Sequence, residues 1–268
     1  MRKLLPALAV LFLAVAGLAG PAWAGKLEDI RQRGVLRVGV SLGGEPIGFR
    51  DDRNAPAGYD VDVAKRLADK LGVGVEYTDV SGDARVSMLV SGQIDVAVAN
   101  LTATPERART IAFTIPYNRV GLRVIVQKSA GVNQLSDLAG KKVVVGRGTT
   151  GEAFLRQAVP GAKLVYTDTF APDGVLLLVQ RRVDAGIEDS SMMDYLANTN
   201  PALKTLPDLY SNAPIAIGLA QGDGDFLRWL NGFVADYISS GAYEANYRKW
   251  WGKDAAVPVL TAGTNPAG

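Results

Sequence analysis

Twelve residues of this chain recur without a gap. Leu89-Val90-Ser91-Gly92-Gln93-Ile94-Asp95-Val96-Ala97-Val98-Ala99-Asn100 aligns on Leu178-Val179-Gln180-Arg181-Arg182-Val183-Asp184-Ala185-Gly186-Ile187-Glu188-Asp189. The Leu, Val and Asp are identical, and Ile stands against Val. Each copy reads as a helix end, a turn and a strand. Each strand finishes on a polar residue, Asn100 or Asp189. A chain that repeats such a unit at long range is constrained towards two lobes of related topology.

The flanking segments alternate in the same way. Residues 35–40 read as a strand. Asp60 is expected to cap a helix that carries Val61, Ala64, Leu67, Ala68 and Leu71 on one face and ends at Gly72. A strand at 73–77, a helix at 84–91 and a strand at 94–99 follow. The second set is a strand at 142–145, a helix at 151–158, a strand at 163–166, a helix at 173–180 and a strand at 183–187. This order predicts an α/β fold with largely parallel sheets. In open α/β sheets ligands collect at the carboxyl ends of the strands. Asn100 and Asp189 therefore mark the expected walls of a cleft between two lobes.

The first of those strand ends runs into Asn100-Leu101-Thr102-Ala103-Thr104-Pro105-Glu106-Arg107. Thr104 is placed as an N-cap and Pro105 at the first helical position. Arg107 then lies in the first turn, against the positive end of the helix dipole, a local cost of up to about 1 kcal/mol. Backbone N–H groups, the Thr102 hydroxyl and a guanidinium converge there, which suits a carboxylate. The alternative is a surface arginine paired with Glu106 or a nearby Asp.

The N-terminus reads as an export signal: Arg2 and Lys3, an apolar stretch over 4–18, and the small-x-small site Ala22-Trp23-Ala24. Cleavage is expected after Ala24. The signal holds two of the 29 basic residues and none of the 27 acidic ones, so the remainder is balanced. A balanced chain is not expected to bind nucleic acid. There is no cysteine and no histidine. That removes disulfides, an N-terminal lipidated cysteine, Ser-His-Asp triads and the usual zinc sites. Acid–base chemistry would fall to carboxylates, Lys or Tyr. Neither a metal nor a cofactor is expected, and the simplest location is a soluble form in a bacterial periplasm.

Three motif matches do not carry the function. Gly146-Arg147-Gly148-Thr149-Thr150-Gly151 fits the dinucleotide fingerprint, with Asp168 downstream. An exported protein has little access to nicotinamide cofactors, so the match reads as an anion-binding helix start for a small ligand. Gly39-Val40-Ser41-Leu42-Gly43 fits a nucleophile elbow but lacks the following helix and a histidine. Asp51, Asp52, Asn54 and Asp60 do not have the spacing of a calcium loop.

Over about 27–253 the chain resembles the periplasmic amino-acid-binding proteins of ABC importers, the extracellular solute-binding family 3. The resemblance rests on Val35-Leu36-Arg37-Val38-Gly39-Val40, Pro46-Ile47-Gly48-Phe49, Gly58-Tyr59-Asp60-Val61-Asp62-Val63-Ala64 and the 100–107 segment. It continues through Phe113-Thr114-Ile115-Pro116-Tyr117, Asp137-Leu138-Ala139-Gly140-Lys141-Lys142, Gly148-Thr149-Thr150, Val183-Asp184-Ala185 and Lys249-Trp250-Trp251-Gly252. It implies a type II periplasmic binding fold: two Rossmann-like α/β lobes joined by two hinge segments, near 114–120 and 210–216. Residues 1–24 would be the signal peptide, 25–118 with 214–268 lobe 1, and 119–213 lobe 2. A C-terminal helix over 229–251 would pack on lobe 1 with its aromatic residues in the core, and 261–268 would be a loose tail.

By the same resemblance Arg107 is the clamp for a ligand α-carboxylate, assisted by Thr102 and the Thr150 backbone. Asp189 is the acceptor for the α-ammonium, Asn100 adds a carbonyl contact, and Tyr59 is an aromatic wall beside the ligand side chain. The alternative for Asp189 is the N-cap of a helix from Ser190, and for Tyr59 it is ordinary packing. The loop Ser41-Leu42-Gly43-Gly44 lacks the acidic and aromatic residues that often grip cationic ligands. Arg147 would suit an acidic side chain and Glu45 a cationic one; the balance favours polar or acidic amino acids. The implied function is capture of an amino acid by hinge closure and delivery to an ABC permease, by a monomer that is not an enzyme. The alternatives are an enzyme of the cyclohexadienyl dehydratase kind, with Glu188 or Glu152 as the acid, and a sensory ligand-binding module.

Overall fold

The computed structural model describes residues 25–168 and 170–260. The expected signal segment and the 261–268 tail lie outside these. Helix α1 (Lys26–Arg33) leads into strand β1 (Val35–Val40). Strands β2 (Phe49–Arg50) and β3 (Pro56–Ala57) form a small hairpin before α2 (Tyr59–Leu71). Then come β4 (Gly74–Asp79), α3 (Ala84–Val90), β5 (Val96–Ala97), α4 (Pro105–Ala108) and β6 (Ile111–Phe113). The chain crosses over through β7 (Asn118–Val120) into β8 (Leu122–Gln127), β9 (Lys142–Gly146), α5 (Thr150–Ala158) and β10 (Lys163–Thr167). It continues with α6 (Val175–Val179), β11 (Ala185–Asp189), α7 (Ser190–Thr199) and β12 (Leu203–Thr205). It returns through β13 (Ala213–Ile215) to β14 (Gly218–Ala220), α8 (Gly224–Ser239) and α9 (Ala242–Trp251).

Two five-stranded sheets result, in the orders β4-β1-β5-β14-β6 and β10-β9-β11-β8-β12. They match position by position. In each, three strands run parallel, a fourth pairs antiparallel, and a fifth pairs antiparallel to the fourth. The fourth strands, β14 and β8, are the ones the chain enters after crossing over. The crossing strands β7 and β13 pair with each other, from Asn118 opposite Ile215 to Val120 opposite Ala213.

The repeated twelve residues take up the same local structure. The Asp95 carboxylate accepts the Arg37 backbone N–H at 2.9 Å, and its own N–H reaches the Arg37 carbonyl at 2.8 Å. Asp184 makes the same pair of bonds to Lys142, both at 2.8 Å. The turn before each is left-handed, with Gly92 at φ 70° and Arg181 at φ 57°. One Asp in each lobe thus fastens the third strand to the second. Asp95 carries more, because Lys26, Arg33 and Arg37 surround its fully buried carboxylate.

Each sheet is covered on both faces, so its strands read as continuous apolar runs. In the second sheet Val143 and Val145 join Val124, Val126 and Leu155, while Val144 and Ile125 point the other way, onto Phe170 and Met193. In the first, Val96, Val38, Leu67 and Phe226 share one core, and Ala97, Leu89 and Ile111 the other. No helix among the described residues is long and apolar enough to cross a membrane.

Two local expectations are corrected. Asp60 does not cap α2: Gly58 stands at the N-cap with φ 128°, where a Cβ would fall 2.4 Å from the Ile47 carbonyl oxygen. Asp60 is instead a buried helical residue. The long C-terminal helix is two helices, broken at Gly241, which takes φ 77°. The expected packing of its aromatic face holds for Phe233, Tyr237, Tyr243 and Tyr247, all in the first core.

Candidate functional site

The two repeat ends meet. The Asn100 side-chain amide donates to the Asp189 carboxylate at 2.5 Å. Asn100 takes φ 48°, a conformation asparagine tolerates better than most residues. Its N–H donates to Asp60 at 2.6 Å, and Asp60 also accepts the Tyr117 hydroxyl at 2.8 Å. Asp189 does occupy the N-cap position of α7, but its side chain makes no capping bond. The carboxylate turns inward to Asn100 and is almost fully buried.

Arg107 sits where the sequence places it. Thr104 caps α4 by accepting the Arg107 N–H at 3.2 Å, with Pro105 at the start of the helix. The Arg107 guanidinium donates to the Thr102 carbonyl at 2.8 Å and, across the cleft, to the Gly148 carbonyl at 3.0 Å. The Thr102 backbone carbonyl thus anchors the guanidinium from its own loop. Thr102 bridges to Ile215, and the Ala103 N–H donates to the Pro214 carbonyl at 3.0 Å, so this loop rests on the crossover strand β13. On the facing lobe Thr149 caps α5 by accepting the Glu152 N–H. Thr150 is the first helical residue, so its backbone N–H is one of the donors a helix start leaves without an internal partner.

Between the lobes lies a cavity of about 50 Å³, lined by Ser41, Arg85 and Asn100 on one side and Arg147, Thr149 and Glu188 on the other, among others. The walls are close. A Cβ on Gly82 would fall 2.5 Å from the Arg147 carbonyl oxygen of the facing lobe. Arg147 is exposed at the rim, with its guanidinium 4.2 Å from the Tyr166 ring centre. Glu45 accepts the Tyr195 hydroxyl at 2.7 Å and is not part of this lining. Tyr59 is not brought to the cleft. It is 1% exposed, donates to the Tyr117 carbonyl at 3.1 Å and packs edge-on to Trp251 in the first core.

Arg85 and Glu188 are among the lining residues that the expected binding set does not contain. Arg85, 7% exposed, donates to the carbonyls of Ala99 at 2.6 Å and Asn100 at 3.1 Å, while its Nε has no partner. Its sequence signal is its position four residues before buried Leu89, on the inward face of α3. Glu188 has a buried Oε2 with no hydrogen-bond partner among the described residues. Its signal lies in the repeat, where an acid stands against apolar Ala99.

Besides the exposed Asp83, Arg147 and Asp168 of the lining, the first lobe brings the Arg85 and Arg107 guanidiniums to the lobe boundary and the second brings the Glu188 and Asp189 carboxyl groups. None of the four forms an ion pair among the described residues. Burial pushes Glu188 above the ordinary carboxylate range, and neighbouring Asp189 adds to the shift. Burial raises Asp189 as well, against the hydrogen bond from Asn100. Burial, then the like charge of Arg85, lowers Arg107 to about 10. An anion beside the guanidiniums and a cation beside the carboxylates would relieve both lobes. No metal-holding cluster of His, Cys, Asp or Glu occurs among the described residues.

Residues 36–253 match the family model of bacterial extracellular solute-binding proteins, family 3. The chain is 32% identical to the L-cystine-binding protein TcyJ of Escherichia coli, over 90% of this chain and 92% of that one. Its structure is similar to that of a mutant ArgBP from T. maritima, with TM-score 0.80 and 32% identity over 84% of this chain and 98% of that one. It is similar also to an ancestral amino acid-binding protein, AncCDT-1, described as a precursor of cyclohexadienyl dehydratase. There the TM-score is 0.79, with 31% identity over 84% and 99% of the two chains.

Proposed function

The chain belongs to the bacterial extracellular solute-binding proteins of family 3, and from that premise we propose that it captures an amino acid between its lobes and delivers it to an ABC permease. One observation carries the reading: Arg107 on one lobe and Asp189 on the other each reach across the lobe boundary, and neither forms an ion pair among the described residues. The α-carboxylate of the ligand binds Arg107 beside the first turn of α5, and its α-ammonium binds Asp189. In doing so it replaces the direct Asn100–Asp189 and Arg107–Gly148 contacts.

A space of about 50 Å³ holds a few waters, against the roughly 300 Å³ of the smallest usual ligand pockets. The lobes must part to admit a ligand and close around it. The described residues of 25–118 and 214–260 move as one lobe and those of 119–213 as the other, about the β7–β13 ribbon, and the ligand selects the closed state. The protein acts as a monomeric receptor in the periplasm after loss of residues 1–24. Its ligand is a polar or acidic amino acid.

Glu188 gives the dehydratase reading a proton donor in the cleft. Glu152 does not serve it, being held by the Gly148 N–H, Arg156 and the Tyr166 hydroxyl. The receptor reading is preferred because it also uses Asp189 and both arginines.

A thermal melt with the common L-amino acids tests the function. A cognate amino acid at a hundred times its Kd stabilises the fold by about 2.7 kcal/mol. A complete panel that shifts nothing contradicts the proposal.

Affinity also depends on pH. The ligand ammonium binds ionised Asp189, whose carboxyl is raised by burial. Protonation of Asp189 competes with binding, so affinity falls as pH falls towards the raised value, beginning above the usual carboxylate pKa of about 4. Calorimetry from pH 8 to pH 5 with the tightest-binding amino acid should show weaker binding at the acid end. Asp189→Asn should bind weakly at every pH in this range.

A further inference from the structure

We propose that Arg85 and Glu188 form a side-chain subsite for amino acids whose side chain ends in a planar carboxyl or carboxamide group. The inference rests on the receptor reading above and specifies which ligand that receptor takes.

Arg85 is a buried guanidinium that lines the cavity. Two backbone carbonyls hold one of its terminal nitrogens, its Nε has no partner, and no carboxylate lies within ion-pair distance of it among the described residues. A buried cation in this condition is stabilised by an acceptor, best by a flat group that can meet the flat guanidinium edge. Glu188 lines the same cavity from β11 of the other lobe, and its Oε2 is buried without a partner. It can accept from an amide N–H or, when protonated, donate to a second oxygen. Burial and the adjacent Asp189 favour the protonated form. Arg107 and Asp189 are taken by the ligand's α-groups, so Arg85 and Glu188 are left facing what lies beyond the α-carbon. An ammonium or guanidinium side chain would meet Arg85 as a like charge. An aliphatic one would leave both polar groups buried and unsatisfied, which selects strongly against it.

Calorimetry on the full chain with L-glutamine, L-glutamate, L-asparagine, L-aspartate, L-arginine, L-lysine and L-leucine tests this. The tightest of the first four should bind at least about tenfold more tightly than any of the last three. The relative strength of the carboxylate and carboxamide ligands shows which of the two Glu188 prefers. In Arg85→Met the advantage over L-leucine should collapse, while Arg85→Lys, which keeps the charge, should retain part of it. If L-arginine, L-lysine or L-leucine binds most tightly, the subsite is wrong and the receptor function stands. If Arg85→Met weakens every amino acid by the same factor, Arg85 is only structural and the inference fails. Should Arg85→Met not fold, the wild-type ranking and Arg85→Lys decide the matter. If none of the seven binds, this inference fails, and the full melt panel separately decides whether the protein binds any amino acid.

Discussion

Arg107→Ala should weaken amino-acid binding by about 2–5 kcal/mol, or roughly thirty- to several-thousand-fold. The variant leaves the ligand α-carboxylate desolvated in the cleft with its main counter-charge gone. Arg85 does not replace it, because the backbone carbonyls of Ala99 and Asn100 hold one of its terminal nitrogens in place. The fold should survive, since Arg107 is only partly buried and donates to two carbonyls rather than into a core. Calorimetry with the best ligand of the melt panel, beside a melt of the free variant, separates the two effects. Unchanged affinity in a folded variant would mean that the clamp lies elsewhere.

Asp95→Ala should instead destabilise the whole protein, by about 3 kcal/mol. Removing one partner of a buried ion pair costs about 3–5 kcal/mol. The lower end applies because Lys26, Arg33 and Arg37 keep about a third of their side-chain surface in water and can resolvate. The variant also strips the Arg37 N–H of its carboxylate partner. Asp184→Ala is the matched comparison. Asp184 makes the same backbone bonds to Lys142 but forms no ion pair among the described residues, so about 1 kcal/mol is expected. Urea unfolding of both variants checks the difference, and equal losses would show that the cationic cluster around Asp95 contributes nothing.

The contrast between these residues shows what the sequence discloses. The Asp95–Asp184 equivalence is a local pattern, a helix end followed by a turn and a strand, and it is legible from spacing alone. So are the Thr104 cap, the Pro105 helix start and the position of Arg107, which depend on neighbours along the chain. The pairing of Asn100 with Asp189 followed from the repeat, because equivalent strand ends in two facing lobes converge. Residues whose role depends on long-range packing were less legible. Asp60 has the spacing of a helix cap, yet the structure uses it to tie Asn100 to Tyr117. Its burial there raises its carboxyl to about 7. Tyr59 lies next to it in sequence but on the side of α2 that faces the aromatic core, where Tyr117 and Trp251 pack against it. Arg85 and Glu188 look like surface charges until the two lobes meet. The long aromatic helix pattern hid a break because Ser240-Gly241 interrupts it without disturbing the spacing of the apolar residues on either side.

The central claim is that an amino acid draws the two lobes together. The chain has no cysteine, so paired spin labels can be placed without removing any residue. Arg50 and Thr199 are exposed on opposite lobes and line one surface groove between them. Pulsed electron paramagnetic resonance on the labelled Arg50→Cys, Thr199→Cys protein should give a longer and broader distance distribution without amino acid. Saturation with the best-binding amino acid of the panel should contract it to a single short distance. A distribution that stays the same while calorimetry shows the ligand bound would contradict capture by closure.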